Sequence, residues 1–334
     1  MFNHGGWIMM LPKLESRYQI LDKNLGSGGM GQVWKCRDTM TDKIVAIKVL
    51  RADTSETEKK RFFNEIDSLK KIRSDFVSKY YDAYVDKNEQ WIVMEYVKGP
   101  TLKRWIDSTS SLNLHVAINY AKSIALALSD IHKANIIHRD LKSSNIIITE
   151  TSDIKIIDFG IALGENSLRH TMDGKVVGSP EYLAPELLKN SEPPSIQSDI
   201  YSLGILLYEM IEGHTPFAGG NINVVISKHL NQKVPNLSTL NQLVPQSVQN
   251  IINKCTAKNP RDRYEDMIAL YNDLKTCLDK NRILDKPSVP GKKQRKSLID
   301  LSENKSFTLS LIIIGSVLIT IVIILLCLKL AGIL

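Results

Sequence analysis

The residues best suited to chemistry lie in the stretch 138–145, HRDLKSSN, and at Asp158, shortly after it. Asp140 could orient and deprotonate an attacking hydroxyl group, and Lys142 could neutralise charge on a phosphoryl group during transfer. Asn145 and Asp158 supply oxygen atoms, the ligands that Mg²⁺ prefers. These types and spacings predict phosphoryl transfer, a reaction that depends mainly on positioning and electrostatic stabilisation.

A glycine cluster near the N-terminus matches a phosphate-binding pattern. The segment 26–31, GSGGMG, has the spacing G-x-G-x-x-G, which lets backbone N–H groups come close to phosphate. A dinucleotide-binding turn of this spacing would be followed by a helix. Residues 32–37 instead alternate between polar and apolar types and predict a strand. The pattern therefore favours a hairpin that covers phosphate groups over a dinucleotide site.

Lys48 ends the apolar run VAIK and is the candidate cation for phosphate oxygens. A lysine in a hydrophobic strand is usually an edge residue whose amine reaches solvent. Glu65 shares a predicted helix face with Phe62 and Leu69, and it is the carboxylate that we expect to hold Lys48. Such ion pairs are also common on protein surfaces, so this pairing supports the prediction without establishing it.

The elements that must position these residues change character along the chain. A β-rich part of about 80 residues precedes a helix-rich part of about 180 residues, as judged from hydrophobic periodicity. Thr54 or Ser55 can cap the first helix. The predicted strands are 18–25, 32–36, 44–50 and 90–96, and the predicted helices are 58–71, 114–134 and 198–212.

Together these motifs resemble the eukaryotic-type (Hanks-type) protein serine/threonine kinases, and most of all their membrane-anchored bacterial branch. The resemblance covers residues 16–279 and rests on the glycine loop, the VAIK lysine, H-R-D-L-x-x-x-N and D-F-G, in that order. It implies an α+β, bilobal protein kinase fold. The β-rich N-lobe would take residues 16–94, the hinge 95–99 and the helical C-lobe 100–279.

The resemblance implies ATP as the phosphate donor, with Mg²⁺ or Mn²⁺ as the metal. Asp140 and Lys142 would be catalytic, and Asn145 and Asp158 would bind the metal. The implied ATP-binding residues are Leu25, Gly26, Ser27, Gly28, Gly29, Met30, Gly31, Gln32, Val33, Ala46, Lys48, Glu65, Glu95, Val97 and Ile147. Met94 would be the gatekeeper of the adenine pocket, and the side chains that link the lobes would be Leu69, Tyr80, His138 and Phe159.

Further roles implied by the resemblance are structural or concern the substrate class. Glu186 would pair with Arg263, and Asp199 would hold the catalytic loop, residues 138–145, from below. Lys142 and the loop at 179–182, SPEY, are typical of kinases that act on serine and threonine hydroxyls rather than on tyrosine. The implied substrates are therefore proteins that carry serine or threonine.

Arg139, next to the catalytic aspartate, points to regulation by phosphate. A phosphate group adds a charge of about −2 and pairs well with arginine. Thr171 is the first candidate for autophosphorylation, followed by Ser167 and Ser179 in the same segment. Tethering to a membrane would favour phosphorylation between two copies of the chain, so we expect self-association. We also expect a cognate phosphatase that removes the phosphate.

The net charge of +7 over 334 residues is concentrated near the C-terminus. Residues 280–305 contain eight Lys and Arg against three Asp and Glu, so the rest of the chain is nearly neutral. This distribution argues against a nucleic-acid partner. The four cysteines, with no pair spaced as C-x-x-C, favour a reduced cytosolic setting over a disulfide scaffold.

Residues 307–328 carry no charge and predict a transmembrane helix. The alternative, a buried core helix, is disfavoured because the run is apolar on every face and lies near the chain end. The basic linker 280–306 precedes it, which places residues 1–306 in the cytoplasm and the tail 329–334 outside a cell membrane. The linker would also contact anionic lipid. Residues 1–15 form an N-terminal extension without signal-peptide features, and translation could start at Met1, Met9 or Met10.

Three functions are compatible with these motifs. The first is an active protein serine/threonine kinase at the cytoplasmic membrane face. The second is a pseudokinase scaffold, which would have lost a residue such as Lys48, Asp140, Asn145 or Asp158, although all four are present. The third is a kinase for a small molecule or a lipid, which would generally lack the loop at 179–186. The sequence favours the first.

Overall fold

The computed structural model of the chain describes the ranges 11–27, 31–50, 56–87, 89–158, 179–189, 191–237, 244–282 and 285–288, and the single positions 291, 313, 316 and 323. The chain divides into two compact units, Met1–Pro290 and Gly291–Leu334, and the elements given below all belong to the first.

The N-terminal lobe is built on an antiparallel sheet of five strands in the order β1-β2-β3-β5-β4. Two helices accompany it. Alternation of apolar and polar residues buries one face of each long strand. The elements are α1 (Pro12–Glu15), β1 (Tyr18–Ser27), β2 (Gly31–Asp38), β3 (Ile44–Leu50), α2 (Glu56–Leu69), β4 (Tyr80–Val85) and β5 (Gln90–Glu95).

The outer face of this sheet is covered by residues just before the kinase-like motifs. Leu11 and Leu14 are completely buried against Trp34 and the alternating apolar residues of β2, β3 and β5. The carboxylate of Glu89 accepts hydrogen bonds from the backbone N–H groups of Lys13 (2.9 Å) and Leu14 (3.1 Å). The end of the predicted N-terminal extension is thus packed onto the N-lobe.

The C-terminal lobe is mainly helical. Residues 198–211 of α6 are buried on all sides, which explains the helix's continuous apolar character. A Cβ at Gly204 would lie 2.5 Å from the Cβ of Cys255, so glycine lets α6 and α8 approach closely. The helices are α3 (Leu102–Thr109), α4 (Leu114–Lys133), α5 (Pro185–Leu188), α6 (Ile196–Glu212), α7 (Ile222–Asn231), α8 (Gln246–Cys255) and α9 (Met267–Thr276).

Between α4 and α5 the C-lobe contains a two-stranded hairpin, β6 (Ile146–Ile148) and β7 (Ile154–Ile156). The backbone of β7 also bonds to the chain that precedes β4: Ser78 N–H donates to Ile156 O at 2.9 Å. This contact joins the two lobes. The prediction of a bilobal kinase fold, with a β-rich N-lobe and a helical C-lobe, is confirmed.

The start of the predicted basic linker is packed on the C-lobe. The guanidinium of Arg282 pairs with Asp273 (2.6 Å) and Asp285 (3.0 Å). The side-chain amide of Asn250 donates to the carbonyl of Lys286 and accepts from the backbone N–H of Ser288, both at 2.9 Å. These contacts fix the path of the chain where it leaves α9.

No helix within the described ranges is long and apolar enough to cross a membrane. The predicted span 307–328 lies outside the described residues, apart from the helical positions Ile313, Ser316 and Ile323. The transmembrane helix therefore remains a prediction from sequence.

Candidate active site

The catalytic loop and the residue Asp158 are brought together by the β6–β7 hairpin. The turn Ser143–Asn145 is a 3-10 helix that leads directly into β6, and Asp158 follows β7 by two residues. The backbone N–H of Ile157 donates to the carbonyl oxygen of Asn145 at 3.0 Å. The two predicted metal ligands thus lie on neighbouring, hydrogen-bonded stretches of chain.

Asp140 is held by its own loop through one carboxylate oxygen. Lys142 Nζ lies 2.7 Å from Oδ2, and Asn145 Nδ2 donates to the same oxygen at 3.1 Å. Asn145 Nδ2 also donates to the backbone carbonyl of Asp140 at 2.9 Å. Among the described residues no donor reaches Oδ1 of Asp140, so this oxygen can accept the hydrogen of a substrate hydroxyl.

The orientation of Asn145 suits metal binding. Because its NH₂ group is used by Asp140, its carbonyl oxygen Oδ1 is directed elsewhere, and no described donor contacts it. No group of three or more His, Cys, Asp or Glu side chains in the described part of the chain could hold a metal by itself. Two protein oxygens, from Asn145 and Asp158, fit a cation such as Mg²⁺ that keeps water and phosphate oxygens as its other ligands.

Lys142 extends from Asp140, the predicted base, to a second loop. Besides Asp140, its Nζ contacts the hydroxyl of Ser179 at 3.1 Å. Ser179 opens the segment 179–186, which we name the peptide-positioning loop. The contact places this loop next to Asp140, the predicted base.

Asp199 supports the catalytic loop from the first turn of α6. Its carboxylate accepts the backbone N–H groups of His138 (2.9 Å) and Arg139 (3.0 Å), and it also contacts His132 Nε2 at 2.8 Å. Arg139 has a φ of 68°, a left-handed conformation that costs free energy for a residue with a side chain. Asp199 offsets that cost, which confirms the structural role predicted for it.

His138 is fully buried beneath the loop. Burial lowers the pKa of its imidazole, and Nδ1 accepts the backbone N–H of Asp140 at 3.3 Å. The buried ring therefore helps to set the position of Asp140, the predicted base.

Lys48 reaches across the cleft from the central strand β3. Its Nζ forms an ion pair with Asp158 Oδ1 at 3.1 Å, and its side chain is only 13% exposed. The side chain of Glu65, the predicted partner, lies outside the described residues, so the Lys48–Glu65 pair remains a prediction. This ion pair joins the predicted phosphate-binding lysine to a predicted metal ligand.

The predicted nucleotide cleft lies on the inner face of the N-lobe sheet. Val33 and Ala46 are half-buried there, since their strand neighbours are buried on the outer face. In the antiparallel register Val33 lies opposite Lys48. Ile147 is half-buried on β6 and forms a bridge with Thr101, at the start of the C-lobe. The resemblance assigns these three apolar side chains to the adenine ring, and that assignment stays a prediction.

The glycine segment joins β1 to β2 as a hairpin. Gly26 pairs with Val33 and Ser27 with Gln32, so a strand follows the glycines and the dinucleotide alternative is excluded. A Cβ at Gly31 would lie 2.1 Å from the carbonyl oxygen of Val49, so a side chain cannot be accommodated there. Leu25 is exposed, and the predicted residues Gly28, Gly29 and Met30 lie outside the described residues.

The hinge contains a contact that sequence reasoning missed. Both carboxylate oxygens of Glu95 accept from Lys155 Nζ, at 2.8 and 2.6 Å, and Lys155 belongs to β7 of the C-lobe. Oε2 also accepts the backbone N–H of Lys79 at 3.1 Å. Val97, the other hinge residue predicted to face adenine, is buried. The alternation of residue types in β7 does not indicate that Lys155 has a partner, Glu95, that lies 60 residues away in the chain.

Glu186 and Arg263 form a buried, bidentate ion pair. The two N–O distances are both 2.7 Å, and the arginine side chain is completely shielded from solvent. Arg263 also donates to the carbonyl oxygens of Ala257 and Gln197, both at 2.8 Å. The pair predicted from the resemblance is present, and it anchors the end of the peptide-positioning loop.

The predicted phosphorylation sites Thr171 and Ser167, and Phe159 of the predicted stack, lie outside the described residues. Leu69 and Tyr80, two further members of that stack, pack in the same apolar cluster. Ser179, the third candidate phosphorylation site, is half-buried and bonded to Lys142.

The two-lobed fold, with Lys48 in its central strand and Asp140 supported in the C-lobe, is the arrangement that the kinase motifs predict. The model of the protein kinase domain matches residues 19–273. The chain belongs to the protein kinase domain family.

Several curated proteins are similar to this chain. The serine/threonine-protein kinase PrkC of Bacillus subtilis is 38% identical over 276 residues, which cover 82% of this chain and 42% of PrkC. The probable serine/threonine-protein kinase PknB of Lactococcus lactis is 36% identical over 271 residues, 80% of this chain and 43% of that protein. The serine/threonine-protein kinase PknL of Mycobacterium tuberculosis is 32% identical over 270 residues, 80% of this chain and 67% of PknL.

The chain thus spans about two fifths of the length of PrkC and PknB, and the similarity lies in the kinase domain. The resemblance to the bacterial Hanks-type serine/threonine kinases is confirmed by the family and by these relatives.

Proposed function

We propose that this chain is an active protein serine/threonine kinase that transfers the γ-phosphate of ATP to protein substrates. The observation that carries the proposal is the position of Lys142, whose Nζ lies 2.7 Å from Asp140 Oδ2 and 3.1 Å from Ser179 Oγ. This amine connects the catalytic base to the loop that would present a peptide. A substrate hydroxyl held by the peptide-positioning loop would therefore contact Oδ1 of Asp140, which no described donor reaches.

In the proposed reaction Asp140 orients the attacking hydroxyl and accepts its proton. The hydroxyl oxygen bonds to the γ-phosphorus while the bond between that phosphorus and the bridging oxygen of ATP breaks, and ADP leaves with the bridging oxygen. Lys142 neutralises negative charge on the transferring group, since its ammonium lies next to the base. Lys48 holds phosphate oxygens at the roof of the cleft. Proximity and fixed charges, rather than a covalent intermediate, supply the acceleration.

The metal that we propose is Mg²⁺, with Mn²⁺ as a substitute. Asn145 and Asp158 would hold it through oxygen atoms, the ligands suited to a hard cation. The metal supplies charge neutralisation on the phosphate oxygens. The adenine ring would lie between Val33 and Ala46 on one side and Ile147 on the other.

We further propose autophosphorylation at Thr171, with Ser167 as the second site, between two copies of the chain. The supporting argument is Arg139, which precedes the base and would pair with a phosphate group. A phosphatase that removes this phosphate is the expected partner. Mass spectrometry after incubation with ATP would identify the modified residue, and an active enzyme with an unmodified segment would contradict this regulation.

The proposed location is the cytoplasmic face of a cell membrane. The support is the uncharged run 307–328 and the basic linker before it, which together satisfy the positive-inside rule. Basic residues near a membrane gain about 1 kcal/mol each from anionic lipid. The linker would therefore hold the kinase close to the bilayer surface.

Two alternatives are less well supported. A scaffold without catalysis is disfavoured because Lys48, Asp140, Asn145 and Asp158 are all present, and they form two contacts, Lys48 with Asp158 and Asn145 with Asp140. A kinase for small molecules or lipids is disfavoured because the peptide-positioning loop is anchored on both sides, by Lys142 and by Arg263.

The proposed function is tested with the full-length chain in detergent, labelled ATP and a library of serine-, threonine- and tyrosine-containing peptides. We expect Mg²⁺-dependent transfer to serine and threonine but not to tyrosine. Transfer only to lipid or to small hydroxyl compounds would support the third function, and no transfer with Mg²⁺ or Mn²⁺ would support the scaffold.

A further inference from the structure

Ser143 lies in the catalytic loop between the predicted catalytic lysine and the predicted metal ligand, and none of the roles above involves it. Its residue surface is only 1% exposed, whereas the adjacent Ser144 is exposed to solvent. A buried hydroxyl group must find hydrogen-bond partners or lose free energy. The partners of Ser143 therefore indicate what the residue does.

Three buried side chains from three elements meet at Ser143. Its Oγ lies 3.1 Å from the carboxylate of Glu209 on α6 and 3.1 Å from the hydroxyl of Tyr182 in the peptide-positioning loop. The hydroxyl of Tyr182 donates to the other carboxylate oxygen of Glu209 at 2.7 Å. The catalytic loop, the peptide-positioning loop and the central helix of the C-lobe are thus joined in one cluster.

The carboxylate of Glu209 needs a hydrogen-bond donor for each of its two oxygens, and the hydroxyl groups of Ser143 and Tyr182 supply one each. The carboxylate of Glu209 is almost fully buried, and burial raises its pKa, while hydrogen bonds from Tyr182 and Ser143 act in the opposite direction. Lys103 Nζ is 4.0 Å away, beyond hydrogen-bond distance. Each hydroxyl has one proton, and in this geometry each donates it to a different oxygen of Glu209.

The cluster fixes the peptide-positioning loop at a second point. Lys142 contacts Ser179, and the next residue of the catalytic loop, Ser143, contacts Tyr182 three positions further along the other loop. Tyr182 is also tied to α6 by its backbone, whose carbonyl accepts the hydroxyl of Ser202 at 2.9 Å. Lys142 and Ser143 of the catalytic loop therefore hold the peptide-positioning loop at two points, Ser179 and Tyr182. Two points of contact fix both its distance from the catalytic loop and its orientation.

We infer that Ser143 is a positioning residue for the protein substrate: its hydroxyl, through Tyr182 and Glu209, holds the peptide-positioning loop in register with the base. This inference rests on the proposed kinase function. It assigns to Ser143 an effect on the peptide and not on the nucleotide, because the cluster lies on the peptide side of Asp140 and not among the residues assigned to ATP.

The test uses steady-state kinetics of the full-length chain with Ser143→Ala, Ser143→Thr and the exposed neighbour Ser144→Ala as the matched control. For Ser143→Ala we expect kcat/KM for the best library peptide to fall roughly tenfold, the loss typical of one hydrogen bond to a charged acceptor. The KM for ATP should stay within about twofold, and Ser144→Ala should resemble the wild type. Ser143→Thr, which keeps the hydroxyl, should recover most of the activity.

Tyr182→Phe keeps the ring but removes the hydroxyl, and it tests the same cluster if Ser143→Ala fails to fold. The double variant should lose less than the product of the two single losses, because either substitution alone already breaks the link between the two loops. Unchanged peptide kinetics in Ser143→Ala, or an equal loss in the KM for ATP, would overturn the inference. Inactivity of the wild type would instead refute the proposed function.

Discussion

The carboxylate of Asp199 accepts the backbone N–H of Arg139 at 3.0 Å and so holds that residue at a φ of 68°. Arg139 directly precedes Asp140, so the orientation of the predicted base depends on this hydrogen bond. A left-handed residue with a side chain persists only where its surroundings compensate for the strain. Asp199, a buried residue of α6, thus helps to set the backbone geometry next to the predicted base.

Replacing Asp199 by Asn should therefore inactivate the enzyme. An amide has one oxygen and cannot accept from His138, Arg139 and His132 as the carboxylate does. We expect kcat to fall by at least about 100-fold, because small displacements of a catalytic group are this costly. The control is Asp130→Asn, since Asp130 pairs with the exposed Lys133. Wild-type kcat in Asp199→Asn would refute the dependence.

The buried pair between Glu186 and Arg263 should be essential for stability. Glu186→Gln leaves the guanidinium of Arg263 buried without its counter-charge, which costs about 3–5 kcal/mol in comparable sites. Urea unfolding of residues 1–290 measures the change. In the matched control, Arg37→Gln breaks an exposed pair with Asp42 and should cost no more than about 1 kcal/mol. Equal losses in the two variants would contradict this explanation.

The buried His229 should make the kinase sensitive to mild acid. Burial and the nearby Lys258 lower the pKa of its imidazole from 6.5 to about 4, and Nδ1 contacts the hydroxyl of Tyr201. Because the folded-state pKa is depressed, the unfolded chain binds the proton first, and stability falls as the pH drops from 6.5 toward 4. Thermal midpoints between pH 7.5 and 5 should fall less steeply in His229→Gln.

The exposed His115 provides the control for that experiment. His115→Gln should show the same pH dependence as the wild type. If His229→Gln also follows the wild-type curve, His229 is not the group that titrates.

The C-terminal unit should be responsible for membrane attachment. We expect the full-length chain to sediment with membranes and to resist washing with high salt, since a hydrophobic span is insensitive to screening. Residues 1–290, which include the contacts of Arg282 and Asn250, should remain in the supernatant. Sedimentation of residues 1–290 with membranes would contradict the proposed anchor, and release of the full-length chain by salt would indicate electrostatic attachment alone.

Much of this fold follows from local sequence patterns. The run at 44–50 predicts β3 with its observed limits, and the predicted helix 114–134 ends within one residue of α4. The predicted cap at Thr54 or Ser55 agrees with the start of α2 at Glu56, whereas the predicted end at Lys71 lies two residues beyond Leu69. Helix ends are less certain than helix centres because periodicity does not fix them. Lys142, Asn145 and Asp158 also lie together as their motif implied.

What the sequence could not predict depends on contacts between distant parts of the chain. The sequence assigns Leu11 and Leu14 to an N-terminal extension. The structure shows that they pack on the N-lobe sheet and belong to its core. Lys155 and Glu95 each lie in a predicted or short strand, and neither sequence indicates that the two side chains form an ion pair at the hinge. Ser143 gives no sign of its role, since its partners Tyr182 and Glu209 lie 39 and 66 residues away.

The most direct test of the proposed function compares the full-length wild type with Asp140→Asn. Asparagine keeps the shape of the side chain but cannot accept the proton of the attacking hydroxyl as a carboxylate does. Transfer of labelled phosphate from ATP to a serine- or threonine-containing peptide is measured alongside binding of a fluorescent ATP analogue. We predict that Asp140→Asn binds the analogue like the wild type but transfers phosphate at least about 100-fold more slowly. Equal transfer by both proteins would contradict the assignment of Asp140 as the base.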